Sequence, residues 1–300
     1  MSKQVQIVEI GPRDGFQNVK EFIPTELKLE AIDGLVQAGI RKIQCTSFVS
    51  PKHIPQMRDA SVVARIVLEK YPNVDFFALV PNFRGAQAAV EAGLCEIAPV
   101  MSLSSSHNQA NIQRTHQQSI EETLRMRNEF PDIAITQDIA TVFGCPFEGR
   151  MEIPPLIELM GKTYELGIRA YTLCDTIGVA YPAQVKAVMK AVKAAFPDCE
   201  INLHIHDTRN MGLINSYEGV TCGADSIQSS IGGLGGCPFA PGASGNTATE
   251  DLAYLLRQEG YDTGLDHGIL VETAKKLHEQ VEGNYSGHHL YITANHKDFS

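Results

Sequence analysis

No segment of the 300 residues gathers lysine and arginine, and the formal net charge is −10. That balance argues against nucleic acid or an anionic membrane surface as the main partner and leaves a small-molecule substrate as the better match. No apolar stretch approaches the roughly 20 residues that a bilayer span requires. The seven cysteines stand singly at 45, 95, 145, 174, 199, 222 and 237, without paired spacing. A disulfide framework and a cysteine-rich structural zinc site are therefore not expected, whereas free thiols in a reducing compartment are. No Gly-x-Gly-x-x-Gly follows the first strand-like run, so the fingerprint of an open dinucleotide-binding sheet is missing. That run already begins at Val5, which leaves no room for a targeting leader ahead of it and suggests a cytoplasmic protein.

What is present is a repeating pair of junctions. One form is a small or apolar residue, a glycine, then a strand: Ala38-Gly39-Ile40 before Ile43, Ala92-Gly93-Leu94 before Ile97, Leu166-Gly167-Ile168 before Tyr171, and Cys222-Gly223-Ala224 before Ile227. The other is an aromatic residue, proline, then Asn or Asp: Tyr71-Pro72-Asn73 before Phe76, Phe130-Pro131-Asp132 before Ile133, and Phe196-Pro197-Asp198 before Ile201. Glycine ends a helix in the left-handed region without steric cost, and proline ends one because it has no N–H. The two forms alternate, and together with the run Val5–Ile10 they mark eight strands. Between them apolar residues recur at helical spacing, as in Leu27, Ala31, Leu35 and Ala38, or Val185, Val188, Met189 and Val192. Eight strands alternating with helices over about 250 residues predict a closed (β/α)8 TIM barrel of the α/β class. We place the barrel at 1–265 and a small C-terminal helical extension with a polar tail at 266–300, packed on the barrel as a cap or oligomer contact. An open doubly wound sheet is the competing architecture, usually with fewer strands.

A barrel carries its active site at the C-terminal ends of its strands. Strand one runs into Arg13-Asp14, and strand two carries Gln44, Thr46 and Ser47. Strand six ends in Cys174-Asp175-Thr176, strand seven carries His204-Ile205-His206-Asp207, and strand eight opens into a glycine-rich run from Gly232 to Asn246. Residues two apart on a strand point the same way, so His204 and His206 share a face. Alone, such a pair reads equally as two hydrogen-bonded core histidines or as a metal face. Closure of the barrel puts strand eight beside strand one with strand seven next, which brings Asp14 to the pair. One carboxylate and two imidazoles suit an open, substrate-accepting site for Mg, Mn, Co or Zn. Arg13, over the barrel mouth, is placed to stabilise a developing oxyanion in preference to forming a surface ion pair. The glycine-rich run holds Cys237 and reads first as a lid carrying a thiol over the site, and second as a phosphate cradle.

These segments resemble the hydroxymethylglutaryl-CoA lyase family, one of the metallolyase barrels that also include isopropylmalate and citramalate synthases. The resemblance rests on Val8 through Gly15 with Gln17 and Asn18, Thr46 through Lys52, Pro81-Asn82, Gly144 through Gly149, Asp175 through Gly178, His204 through Thr208, and Gly233 through Glu250. It implies that Asp14, His204, His206 and Asn246 hold a divalent metal cation, with magnesium or manganese ahead of cobalt or zinc. It implies too that Arg13 polarises a thioester oxygen and that Cys237, or Asp175 with His206, moves protons. The implied reaction is a retro-Claisen cleavage of an acyl-CoA thioester to acetyl-CoA and a keto acid, and the implied assembly is a homodimer. The substrate-binding residues expected on this basis are Gln17, Gln44, Thr46, Ser47, His107, Thr176 and Arg209.

Four features depart from the family pattern. Gln44 stands where such lyases have Glu, and Cys174 where Gly is usual. The segment from Ser102 to Ser119, with His107, Arg114 and His116, is longer and differently composed, and Arg209-Asn210 replaces the commoner Tyr-Gly. Grouped around one pocket, these changes suggest an altered acyl group. Hydroxymethylglutaryl-CoA is thus the first expected substrate, and citramalyl-CoA or a related 3-hydroxy-3-carboxylate the second. A Claisen condensing enzyme of the synthase type and an inactive metal-binding barrel are the remaining alternatives. Intact Arg13 and Cys237 argue against the last.

Overall fold

The computed structural model describes residues 3–236 and 245–292. Eight parallel strands close a barrel in sequence order. They are β1 (Gln6–Glu9), β2 (Lys42–Ser47), β3 (Asp75–Val80), β4 (Glu96–Ser102), β5 (Ala134–Ala140), β6 (Ala170–Asp175), β7 (Glu200–Ile205) and β8 (Ser226–Ser229). β8 returns to β1 with Ser229 opposite Glu9, so the ends of β1, β7 and β8 are neighbours. This is the closed barrel that the junctions predict, and the open-sheet alternative is ruled out.

The helices are α1 (Thr25–Gln37), α2 (Ala60–Lys70), α3 (Phe83–Glu91), α4 (Ser105–Ile112), α5 (His116–Glu129), α6 (Ile153–Tyr164), α7 (Pro182–Ala195), α8 (Gly212–Thr221), α9 (Thr249–Gln258) and α10 (His267–Gln280). The four junction glycines, Gly39, Gly93, Gly167 and Gly223, have φ between 83° and 103°, which a side chain would strain. At the proline junctions α2, α5 and α7 stop at Lys70, Glu129 and Ala195, because the residue before proline is driven out of the helical region. The helices bury one stripe each. In α7, for example, Val185, Val188, Met189 and Val192 are all buried, each worth about 1.5–3 kcal/mol on removal from water.

The segment from 102 to 119 folds as the extra helix α4 followed by the start of α5. Ser104 caps α4 by accepting from the His107 N–H, and Thr115 with Gln118 forms a reciprocal cap on α5. α10 packs on α1, where a β-carbon at Gly34 would come within 2.5 Å of Thr273 Oγ1. Among the described residues no helix is long and apolar enough to cross a membrane.

Candidate active site

The sequence Gly11–Gly15 winds into a single wide helical turn straight off β1. The N–H groups of Arg13 and Asp14 both donate to the Ile10 carbonyl, at 3.0 and 2.7 Å. That turn directs both side chains over the barrel mouth. Asp14 is contacted there by Arg13 through Nη1 and by Asn246 through Nδ2 at 2.7 Å. Arg13 Nε donates to Gln44 Oε1 from β2, so the guanidinium is fixed between an amide and a carboxylate.

At the end of β7, His204 Nε2 and His206 Nε2 lie 3.0 Å apart, and His204 Nε2 is also 3.0 Å from Asn246 Oδ1. Asp14 Oδ2 is 3.9 Å from His206 Nε2. Ligand atoms of Asp14, His204 and His206 all fall within 4.8 Å of one another, and the three residues are buried. Burial lowers both imidazoles, His206 to about 3 with His204 beside it as the next cause, so both rings are neutral at physiological pH. Burial pushes the Asp14 carboxyl up, but Arg13 and the two histidines outweigh it and hold it down at about 2.

The arrangement fits a divalent cation. Two neutral imidazoles turn the same nitrogen toward one point, beside an ionised carboxylate and an amide oxygen, a donor set that crowds acceptors together unless a cation sits among them. His204 is held from behind, its Nδ1 lying 3.1 Å from Gln228 Oε1. A carbonyl oxygen accepts only, so Nδ1 carries the proton and Nε2 presents its lone pair.

A cavity of about 650 Å3 opens over these residues, and Gln17, His107, Asp138, Cys174 and Thr176 share its lining with Arg13, Asp14, His204 and His206. Ser47 Oγ donates to Gln17 Oε1 at 3.1 Å and so steadies the cavity wall. Thr176 Oγ1 accepts from the Thr141 N–H, and His107 Nδ1 pairs with Ser102 Oγ at 2.7 Å.

Among the described residues, six expected site residues do not line the cavity: Gln44, Ser47 and Asn246 bond to lining residues from behind, while Thr46, Arg209 and Asp175 turn to other partners. A register shift in β2 between Gln44 and Thr46 breaks the alternation, so Thr46 turns to Met57 Sδ while Gln44 meets Arg13. Arg209 spends Nη1 on the carbonyls of Ile177 and Gly178. Asp175 accepts from the N–H groups of Val179 and Ala180 and holds the loop after β6; burial raises it to about 6. Cys237 lies outside the described residues.

Sequence reasoning missed Asp138 and Gln228. Their signal was a polar side chain at an inward position of a strand, the same signal that exposed His204. Glu9 was missed as well. Fully buried, it accepts from the N–H groups of Gly11 and Ile231 and from Thr249 Oγ1, tying the turn after β1 to the turn after β8.

A TIM barrel with two imidazoles, a carboxylate and an amide converging at its mouth defines a metal-dependent barrel of the metallolyase kind. Comparison with known proteins agrees: residues 4–277 match the HMGL-like family model. A hydroxymethylglutaryl-CoA lyase of Bacillus subtilis is 42% identical over 281 residues, covering 93% of this chain and 94% of that protein. The mitochondrial hydroxymethylglutaryl-CoA lyase of Bos taurus is 41% identical, covering 90% and 83%. Among solved structures, an HMG-CoA lyase from Acinetobacter baumannii in complex with coenzyme A and 3-methylmalate superposes with a TM-score of 0.92 at 35% identity, over 98% of this chain and 96% of that one. The chain belongs to the HMGL-like family, whose members depend on a divalent metal.

Proposed function

We propose that the chain is a carbon–carbon lyase that cleaves 3-hydroxy-3-methylglutaryl-CoA to acetyl-CoA and acetoacetate in a divalent-metal-dependent reaction. The observation that carries this reading is the convergence of Asp14, His204 and His206 with the Arg13 guanidinium on one cavity, with Asn246 against Asp14 and His204. Asp14, the two imidazoles and the Asn246 amide oxygen would hold the cation, and the mix of hard oxygens and imidazoles favours magnesium or manganese, with cobalt or zinc next. When bound, the cation supplies Lewis acidity toward oxygen atoms of the substrate. Arg13, held by Gln44 and Asp14, keeps positive charge facing the cavity, where the thioester oxygen becomes an enolate oxygen as the carbon–carbon bond breaks. Gln17, steadied by Ser47, together with Thr176 and His107 orients the acyl chain. Cys237 is assigned to proton delivery at the departing acetyl carbon, a role that rests on the family resemblance. The reading includes a homodimer in the cytoplasm; the free thiols among the described cysteines are in keeping with a reducing compartment.

A second substrate is favoured by a specific observation. Gln44 removes a carboxylate from the Arg13 side of the cavity and Asp138 supplies one from β5. Such a redistribution suits a variant acyl group of the citramalyl-CoA type, and one relative binds 3-methylmalate with coenzyme A. Purified protein with magnesium or manganese, offered a panel of 3-hydroxyacyl-CoA thioesters, is expected to release acetyl-CoA from 3-hydroxy-3-methylglutaryl-CoA or from citramalyl-CoA or a related 3-hydroxy-3-carboxylate. Condensation of acetyl-CoA with a 2-oxo acid and no release would identify a synthase instead. Metal binding without turnover in either direction would identify an inactive barrel.

A further inference from the structure

Among the described residues lining the cavity, the only carboxylates are Asp14 and Asp138. Asp14 is committed to Arg13, Asn246 and the histidine pair. Asp175 does not line the cavity and spends both oxygens on the Val179 and Ala180 N–H groups, at 2.9 and 3.0 Å. Cys174 does line it, but burial, with Asp138 beside it, pushes its thiol well above the ordinary value, which leaves a poor proton acceptor. Asp138 differs from all of these. It sits inside β5, opposite Thr172 on β6 and Val100 on β4, and is 4% exposed. Thr172 lowers its carboxyl as a hydrogen-bond donor, yet Oδ1 is buried and meets no hydrogen-bond partner among the described residues. The residue lines the cavity while this covered oxygen is unsatisfied, so the carboxylate keeps acceptor capacity beside the substrate.

We infer that Asp138 is the general base that takes the proton of the substrate's tertiary hydroxyl. The inference rests on the lyase reading above and adds the residue that starts the cleavage. The Asp138 carboxylate removes the hydroxyl proton, and the O–H electron pair becomes the second bond of the new ketone. The carbon–carbon bond breaks and its pair passes into the acetyl-CoA enolate, whose oxygen faces Arg13. The proton held by Asp138 balances the one that the enolate's methylene carbon takes up, so nothing is consumed.

The groups that act electrostatically on Asp138 are Arg13 and Asp14 from the turn after β1, Glu96 from β4, and Thr172 and Cys174 from β6. Burial raises its carboxyl to about 6 while Arg13 opposes the rise, which suits a base that works near neutrality.

The test uses the full-length protein with manganese and whichever thioester the wild type cleaves. Asp138→Asn is expected to lower kcat about 100-fold or more, with KM and manganese content within about twofold of wild type. The acidic limb of the wild-type kcat profile should vanish in the Asn variant, and Asp138→Glu should restore part of the rate together with the limb. Exchange of solvent deuterium into the methyl group of acetyl-CoA does not need the hydroxyl base, so Asp138→Asn should retain it; this separates loss of the base from loss of the fold. Wild-type cleavage with an Asn variant of unchanged kcat and pH profile would overturn the inference. Loss of exchange and manganese along with cleavage would overturn it too, reducing Asp138 to a structural role. A wild type that cleaves no thioester would instead refute the lyase reading itself.

Discussion

His204 shows what one residue needs in order to serve as the proposed ligand. Its ring is neutral because burial disfavours the cation, and its tautomer is fixed because Gln228 offers a carbonyl oxygen to Nδ1. Replacing Asp14 or His204 by Ala should reduce manganese binding more than about 100-fold, measured by calorimetry, while Gln228→Ala should cost about 10–100-fold. An unchanged affinity in the Gln228 variant would show that the tautomer is set elsewhere. Gln44 acts on Arg13 in a different way, as a neutral acceptor at Nε. Gln44→Glu is expected to move selectivity toward 3-hydroxy-3-methylglutaryl-CoA over citramalyl-CoA, and an unaltered ratio of kcat/KM values would remove Gln44 from substrate choice. At this scale the sequence was partly legible. The His-x-His spacing displayed the candidate ligand pair; Asp138 and Gln228 each stand as a single polar residue at an inward strand position, a weaker signal than a pair.

The elements around the site are tied together by buried carboxylates. Glu9 clamps the turn after β1 to the turn after β8 and to the start of α9, while Glu250 on α9 accepts from the Gly232 N–H. Burial raises Glu9 to about 7 and Glu250 to about 8. A carboxyl whose folded pKa lies above its unfolded value gives stability that is present below the unfolded pKa and is lost as pH rises through the folded one. Wild-type protein should therefore lose stability relative to Glu250→Gln between about pH 4.5 and pH 8. Urea denaturation at pH 5 and pH 8 measures that gap, and an equal gap at both values would contradict the shift. The elements themselves were legible from their ends. Glycines at positive φ and prolines after an aromatic residue marked the seven junctions because each acts on its own backbone. The β2 register shift was not legible: it depends on how β3 pairs with β2, and it turned Thr46 away from the site that simple alternation gave it.

For the whole molecule, closure is the step that turns scattered residues into one site. Asp14 and Asn246 are separated by 232 residues, yet their side chains lie 2.7 Å apart because β8 closes on β1. Counting strands was enough to foresee that neighbourhood. The large apolar layer between strands and helices does not depend on the metal, so a chelator should leave the protein folded. A cation that binds only the folded state adds stability by mass action, about 2.7 kcal/mol at 100 times its Kd, so manganese should raise Tm by several degrees. His204→Ala should lose that rise. The central claim meets its most direct test in one assay: protein stripped by a chelator is mixed with 3-hydroxy-3-methylglutaryl-CoA, and acetyl-CoA is followed before and after manganese is added. We predict no release before addition and catalytic release after it; release that is equal with and without the metal, or absent in both, would contradict the account.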